Sequence, residues 1–301
     1  MSFASRIALS LLFLIPASTF AQSLTVLDSY RLGLLYFSGH TVPQDYKQAA
    51  SFFRAAADTG DPRAQFMLGS LYAAGLGISK DLARAAECYR ASAEQGYSRA
   101  QNNLASLYQH GQGVTLNLQQ AVRWYLAAAS QGDPTAAANL GSLYYIGDGV
   151  EQDFSKAAKW FLVAASGGQP NAQSNLAIMY TVGRGVPRDY SQAAHWAQEG
   201  ATNGFPAAQF SLAFLYENGR GLPLDYASAF AWYSRASRAG DHNAATRLAK
   251  LRQIMTANQL QQASVLLSND SRTQSAAAST SSTYGTPADL AISNGNFAPD
   301  R

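Results

Sequence analysis

Four histidines (His40, His110, His195 and His242) and one cysteine (Cys88) are the residues best suited to bind a metal or attack a substrate. No two of these histidines show the His-x(3)-His spacing that sets two imidazoles on one helical face, and neither His110 nor His195 has an adjacent cysteine. A Gly-x-Ser-x-Gly elbow and a Ser-x-x-Lys pair are both missing, so no activated serine is expected. Carboxylates recur at Asp45, Asp81, Asp153, Asp189 and Asp225, with Asn117 at the equivalent place. One such group per regular interval suits helix N-caps better than an acid and base pair. Glycine pairs such as Gly147 and Gly149, or Gly183 and Gly185, suggest a phosphate cradle. A helical pattern precedes each pair, however, and neither a third glycine nor Lys-Ser/Thr follows, so a tight turn needing positive φ is the better reading.

The regular interval is itself the main signal. Gly33, Gly69, Ala105, Gly141, Ala177, Ala213 and Ala249 follow one another in steps of 36 residues without an insertion. A fixed period of this length predicts a solenoid whose units bury their apolar faces only against neighbours. Within a unit, Gly132-Asp133-Pro134 reads as the stop of one helix and the start of the next. Ala136, Leu140, Gly141 and Tyr144 then lie at helical spacing. Glycine in a helix interior costs about 1 kcal/mol, so Gly33, Gly69 and Gly141 predict close approach of a partner helix. After the glycine turn, Val150 is expected to plug its underside and Asp153 to cap a second helix running through Ala157, Trp160 and Ala164 to Gly168. Cys88 occupies the position that Trp124, Trp160, Trp196 and Trp232 hold elsewhere, so it reads as a core filler. Tyr72, Tyr108 and Tyr144, like the tryptophans, read as core.

Composition narrows the function classes. The chain has 301 residues, 47% of them hydrophobic, with 14% charged residues and a formal net charge of +3. No basic stripe is present, which argues against nucleic acid as partner. The opening residues carry Arg6, an apolar run from Ile7 to Ile15, and Thr19 and Ala21 before a cut that would fall after Ala21. This is the plan of a secretory leader, over 1–21, and its apolar run is short for about 30 Å of hydrocarbon. A periplasmic or secreted protein without stable membrane insertion after cleavage is expected. From 264 to 301 the composition turns to Ser, Ala, Thr, Asn and Gly, which predicts a low-complexity disordered tail.

The pattern A-x(3)-L-G-x(2)-Y-x(2)-G-x-G-V-x(2)-D-x(3)-A-x(2)-W-x(3)-A-A-x(2)-G resembles the Sel-one-like repeat (SLR) family, relatives of tetratricopeptide repeats. The resemblance runs from about Leu27 to Ala263, with six full matches in register. It implies an all-α, right-handed superhelical solenoid of antiparallel helix pairs, spanning 22–263 with six units and carboxy-terminal capping helices. It also implies a non-catalytic adaptor that takes a protein or peptide segment on the concave face lined by first helices. Asn103, Asn139 and Asn175 stand directly before the Leu or equivalent of the first helix. Tetratricopeptide grooves that hold extended peptides are similar in placing Asn there, with an amide able to donate and accept; the same row also suits bracing of neighbouring helices. Arg99, Asn102, Ser106, Gln109, His110, Ser142 and Tyr145 are expected around it.

The expected partner is another envelope protein or peptide, with the chain monomeric and no cofactor or metal required. The alternative is a peptidoglycan- or polysaccharide-associated protein, binding or hydrolytic, for which Tyr145 beside Asn139 is the one hint. A β-lactam-hydrolysing activity described for cysteine-rich relatives lacks support here, because their paired cysteines are missing.

Overall fold

A computed structural model describes residues 29–280, with side chains to Ser268; the leader expected over 1–21 and the end of the expected tail, 281–301, lie outside the described residues. Every regular element among the described residues is a helix. The chain divides into two compact units at Leu116 and Asn117. The first holds α1 (residues 29–38), α2 (Tyr46–Asp58), α3 (Pro62–Ala74), α4 (Leu82–Glu94) and α5 (Ser98–His110). The second holds α6 (Leu118–Ala129), α7 (Pro134–Ile146), α8 (Phe154–Ser166), α9 (Pro170–Val182) and α10 (Tyr190–Thr202). It continues with α11 (Pro206–Asn218), α12 (Tyr226–Arg238), α13 (His242–Ile254) and α14 (Ala257–Thr280). In the first unit the helices from α2 to α5, and in the second those from α6 to α13, pack on their neighbours in the chain; in the second α9 also touches α11 while α12 touches α14.

The caps stand where the carboxylates recur. Asp45 accepts from the Lys47 and Gln48 amides at 2.9 and 3.0 Å, and Asp81, Asn117, Asp153, Asp189 and Asp225 do the same for their own helices. Each of these donors would otherwise be an orphan of the first helical turn. The turn is closed from the other side by backbone: the Asp153 amide donates to the Tyr144 carbonyl at 2.9 Å, and the Asp81 amide to that of Tyr72.

The two glycines of each turn have different tasks. Gly147 ends α7 in the left-handed region at φ 85°, where its amide donates to the Leu143 carbonyl. Gly149, at φ 73°, is also pressed against another repeat: a Cβ there would meet Leu118 Cβ, at the start of α6, at 2.5 Å. Gly185 lies equally tight on Phe154 at the start of α8. The second glycine is therefore a contact between successive repeats as well as a conformational need. Thr41 holds this place in the first repeat, where no described second helix precedes it.

The deepest core differs from the aromatic rows expected. Phe53, Tyr89, Tyr125, Phe161 and Tyr233, each one residue past the Cys88 and tryptophan row, are fully buried. Of the expected rows only Tyr72 and Trp196 are buried; Tyr108, Tyr144, Trp124, Trp160 and Trp232 are half-buried. Helix phase explains the shift, since the ring following that row points at the small residue of the first helix. A Cβ on Gly69 would lie 2.8 Å from the Tyr89 ring, and one on Gly141 2.8 Å from the Phe161 ring. The same register carries Ala177 and Ala197 in the fifth repeat, small on both sides and fully buried.

The tail also departs from expectation. α14 runs on through 264–280, so the low-complexity composition there does not exclude a helix. Ala263 is fully buried beside Leu251 and Met255, with Leu260 packed on the same cluster. That anchored first stretch supplies the nucleus, and the leucines, Arg272, Gln274 and the alanines beyond it are good helix formers.

Candidate functional site

In the first unit α5 carries the polar residues singled out in the sequence. Arg99 and His110 are exposed, and Asn102, Ser106 and Gln109 are half-buried. The His110 Nδ1 lies 2.9 Å from the Ser106 carbonyl, so the ring folds back on its own helix. Asn103 behaves differently from a surface amide. Only 5% exposed, it accepts from Asn102 Nδ2 at 3.3 Å and lies beside the buried Tyr89 hydroxyl. Asn103 thus belongs to the layer beneath the surface, with Asn102 and Arg99 lying further out than it.

In the second unit Asn139 on α7 and Asn175 on α9 are half-buried. Ser142 spends its hydroxyl on the Ala138 carbonyl at 3.0 Å. Tyr145 is not an open platform: its ring packs edge-on against Phe154 with centroids 5.2 Å apart, and its hydroxyl accepts from Arg184 Nη1 at 2.9 Å. Tyr145 and Arg184 instead tie the end of α7 to the turn after α9. The sequence-predicted residues therefore fall into two sets, Arg99 to His110 on α5 of the first unit and Asn139 to Asn175 on α7 and α9 of the second.

Beside Asn175 and Ser211 the second unit has a feature that residue types alone did not single out. A groove of about 300 Å3 between α9 and α11 is lined by Ile178, Thr181, Val182, Ala207, Phe210 and Phe214 among others. Ile178 is 41% and Val182 56% exposed, and Ile146, one repeat before Val182, is 68% exposed. Such apolar side chains on a solvent face are the informative exception to burial. A signal for them was present: Ser106 and Ser142 precede Ile178 and Phe214 in the same register, so the side chain there changes from hydroxyl to hydrocarbon along the chain.

Among the described residues the cysteine thiol is not activated. Burial pushes the Cys88 thiol up to about 11, leaving it protonated at neutral pH and a poor nucleophile. The Tyr233 hydroxyl is raised by burial and by its 2.7 Å hydrogen bond to Glu217, a carboxylate also paired with Arg247 at 3.3 Å. Asp61, the cap of α3, is pushed up by burial, but hydrogen bonds from the Arg63 guanidinium and from the Arg63 and Ala64 amides outweigh it and leave the carboxyl lowered. Among the described residues no three His, Cys, Asp or Glu side chains gather as a metal site. No described helix is long and apolar enough to cross a membrane.

Stacked helix pairs of equal length, joined by glycine turns and covered by short caps, define a helical-repeat solenoid, a class that works by presenting surface. The chain belongs to the Sel1 family: the Sel1 repeat matches residues 29–61, 62–97, 98–133, 134–169, 170–205 and 206–241. Among solved structures it is similar to a Sel1 repeat protein from Oxalobacter formigenes, at 35% identity and a TM-score of 0.66, over 75% of this chain and 65% of that one. It is similar also to c5321, a protective antigen present in uropathogenic Escherichia coli strains that displays an SLR fold. That match has 31% identity and a TM-score of 0.59, covering 82% of this chain and 61% of the other. The chain thus spans less than two thirds of the length of either relative. No curated protein matches it significantly.

Proposed function

We propose that this chain is a non-catalytic adaptor of the cell envelope that holds a segment of another protein on the outward faces of its first helices. The observation that carries this reading is the apolar groove between α9 and α11, with Phe210 and Phe214 on one wall and Ile178 and Val182 on the other. Apolar side chains from a partner segment would fill it, and the half-buried Asn175 alongside offers an amide to its backbone. The leader-like first residues support an exported location. A helical-repeat scaffold whose one thiol stays protonated needs no cofactor for this task.

Site-directed photo-crosslinking tests the proposal. A photoreactive side chain placed at Ile178 should capture one protein from envelope extract, whereas the same group at Leu126, an exposed apolar residue outside the groove, should not. Phe214→Asp should abolish the Ile178 product and leave the far-ultraviolet circular dichroism unchanged. Equal capture from both positions, or retention on purified peptidoglycan alone, would overturn the reading. Because the contact is mostly apolar, raising salt should weaken it only slightly.

A further inference from the structure

The inner repeats of the second unit cover two stripes that the last layer leaves open. Ala158 and Ala165 on α8 are buried, as are Ala194 and Ala201 on α10 one repeat later. At the next step the positions are Phe230 and Ser237 on α12, both only half-buried. Likewise Leu176 and Ala177 on α9 and Leu212 and Ala213 on α11 are buried, while their successors on α13 are Leu248, half-buried, and Ala249, exposed. A second helix in the usual register would close this gap. The connection after α13 is instead only Met255 and Thr256, where the earlier repeats of this unit have seven residues between paired helices, and α14 packs on α12. What remains is a groove of about 670 Å3 between α12 and α13, bounded by Leu267 of α14.

The rim of this groove has one sign of charge. Residues 226–268 contain five basic side chains and a single acidic one, Asp241, whose carboxylate caps α13 through the Ala244 amide at 3.0 Å. Arg247 is engaged with Glu217. Arg238 and Arg252 line the groove itself, and the Arg252 guanidinium lies 5.8 Å from the centre of the Phe230 ring. Hydrocarbon floor and guanidinium rim together select a ligand that is apolar along one stripe and carries carboxylates beside it.

We propose that this terminal groove docks an acidic amphipathic helix of a partner protein, which takes the place that the second helix of a further repeat would occupy. Its apolar side chains at i, i+3 and i+7 rest on Phe230, Leu248 and Ala249, and flanking carboxylates pair with Arg238 and Arg252. This site is separate from the groove between α9 and α11, so either proposal can fail alone.

Fluorescence anisotropy with the full chain tests it. The probe is a labelled synthetic helix with a leucine stripe flanked by glutamates, and the control carries lysines in place of the glutamates. The acidic probe should bind and the lysine probe should not. Affinity should fall at least roughly tenfold at high salt, and by a similar factor in the Arg238→Glu, Arg252→Glu double variant, whose exposed changes leave the core intact. Ala249→Trp fills the floor from an exposed position and should remove binding, whereas Ile178→Asp, an exposed change in the other groove, should leave it unchanged. Equal binding of both probes, or indifference to the double variant, would overturn the proposal. So would acidic-probe binding that survives Ala249→Trp in a variant of unchanged melting temperature, because the floor would then play no part. Self-association that masks the groove in sedimentation and is lost in Ala249→Trp would assign the site to a second copy and overturn it as well.

Discussion

α5 in the first unit and the pair α9 and α11 in the second are built on one register, yet their solvent faces differ in kind. Ser106 and His110 on α5 become Ile178 and Val182 on α9, and Asn102 becomes Phe210 on α11. Beneath them nothing comparable changes: Leu104, Leu176 and Leu212 are all buried, as are Ala105, Ala177 and Ala213. The repeat constrains residues that pack and leaves free those that face water. Differences in chemistry along such a chain therefore collect on one stripe of each first helix, and the groove proposed to take a partner lies on that stripe.

The sharpest way to test that shared core is to remove its rings. Phe161→Ala in the second unit and Tyr89→Ala in the first should each destabilise by about 4 kcal/mol in urea unfolding, since each fully buried ring packs on a glycine that cannot fill the void. Widely unequal values would mean that the layers are not equivalent. Next, Gly149→Val places a β-branched side chain at positive φ and against Leu118, and should cost about 3 kcal/mol by thermal melting. Gly168→Val meets nothing within 4 Å, and its cost should be about 1 kcal/mol, from backbone strain alone. Equal losses would show that the contact between repeats is unimportant.

The faces are then separated by binding. Phe210→Ala should weaken capture of the partner segment by about thirtyfold, or about 2 kcal/mol, as a central aromatic anchor does, while Asn102→Ala at the equivalent place in the first unit should change it by less than about threefold. The reverse ranking would move the site to α5. The smallest effect concerns acid. The Asp61 carboxyl is lowered in the fold, so its contribution is fully present above the unfolded carboxylate value of about 4 and is lost as pH falls through the folded one. Asp61→Ala should cost about 1 kcal/mol at neutral pH and flatten the acid limb of stability against pH. A limb unchanged in the variant would show that Asp61 does not contribute to it.

Much of the fold was legible because each cause is local. Aspartate before a helix, proline in its first turn and glycine after it act through groups a few residues away, so Asp133, Pro134 and Gly147 mark α7 in the sequence alone. The small residue at Gly141 was equally readable as a place of close approach. Which ring approaches was not, because helix phase had to be known before Phe161 could be preferred to Trp160. The candidate site was harder to read. Asn103, Asn139 and Asn175 are identical in type and register, but Asn103 is buried and the other two are half-buried, a difference set by neighbours on other helices. By type Tyr145 suits a sugar platform, but Arg184, 39 residues away, occupies its hydroxyl.

The sequence by itself determined the period, the helix ends, the turns and the family, since these follow from hydrogen bonds and apolar spacing within one unit and its copy. Only the tertiary structure decided which apolar residues stay in water. Ile178 and Phe214 are ordinary core residues by type, and they line a groove because helices of neighbouring repeats leave a space there that no side chain of the described chain fills. Ala249 likewise repeats the small-residue register and is exposed because α14 starts too early to cover it.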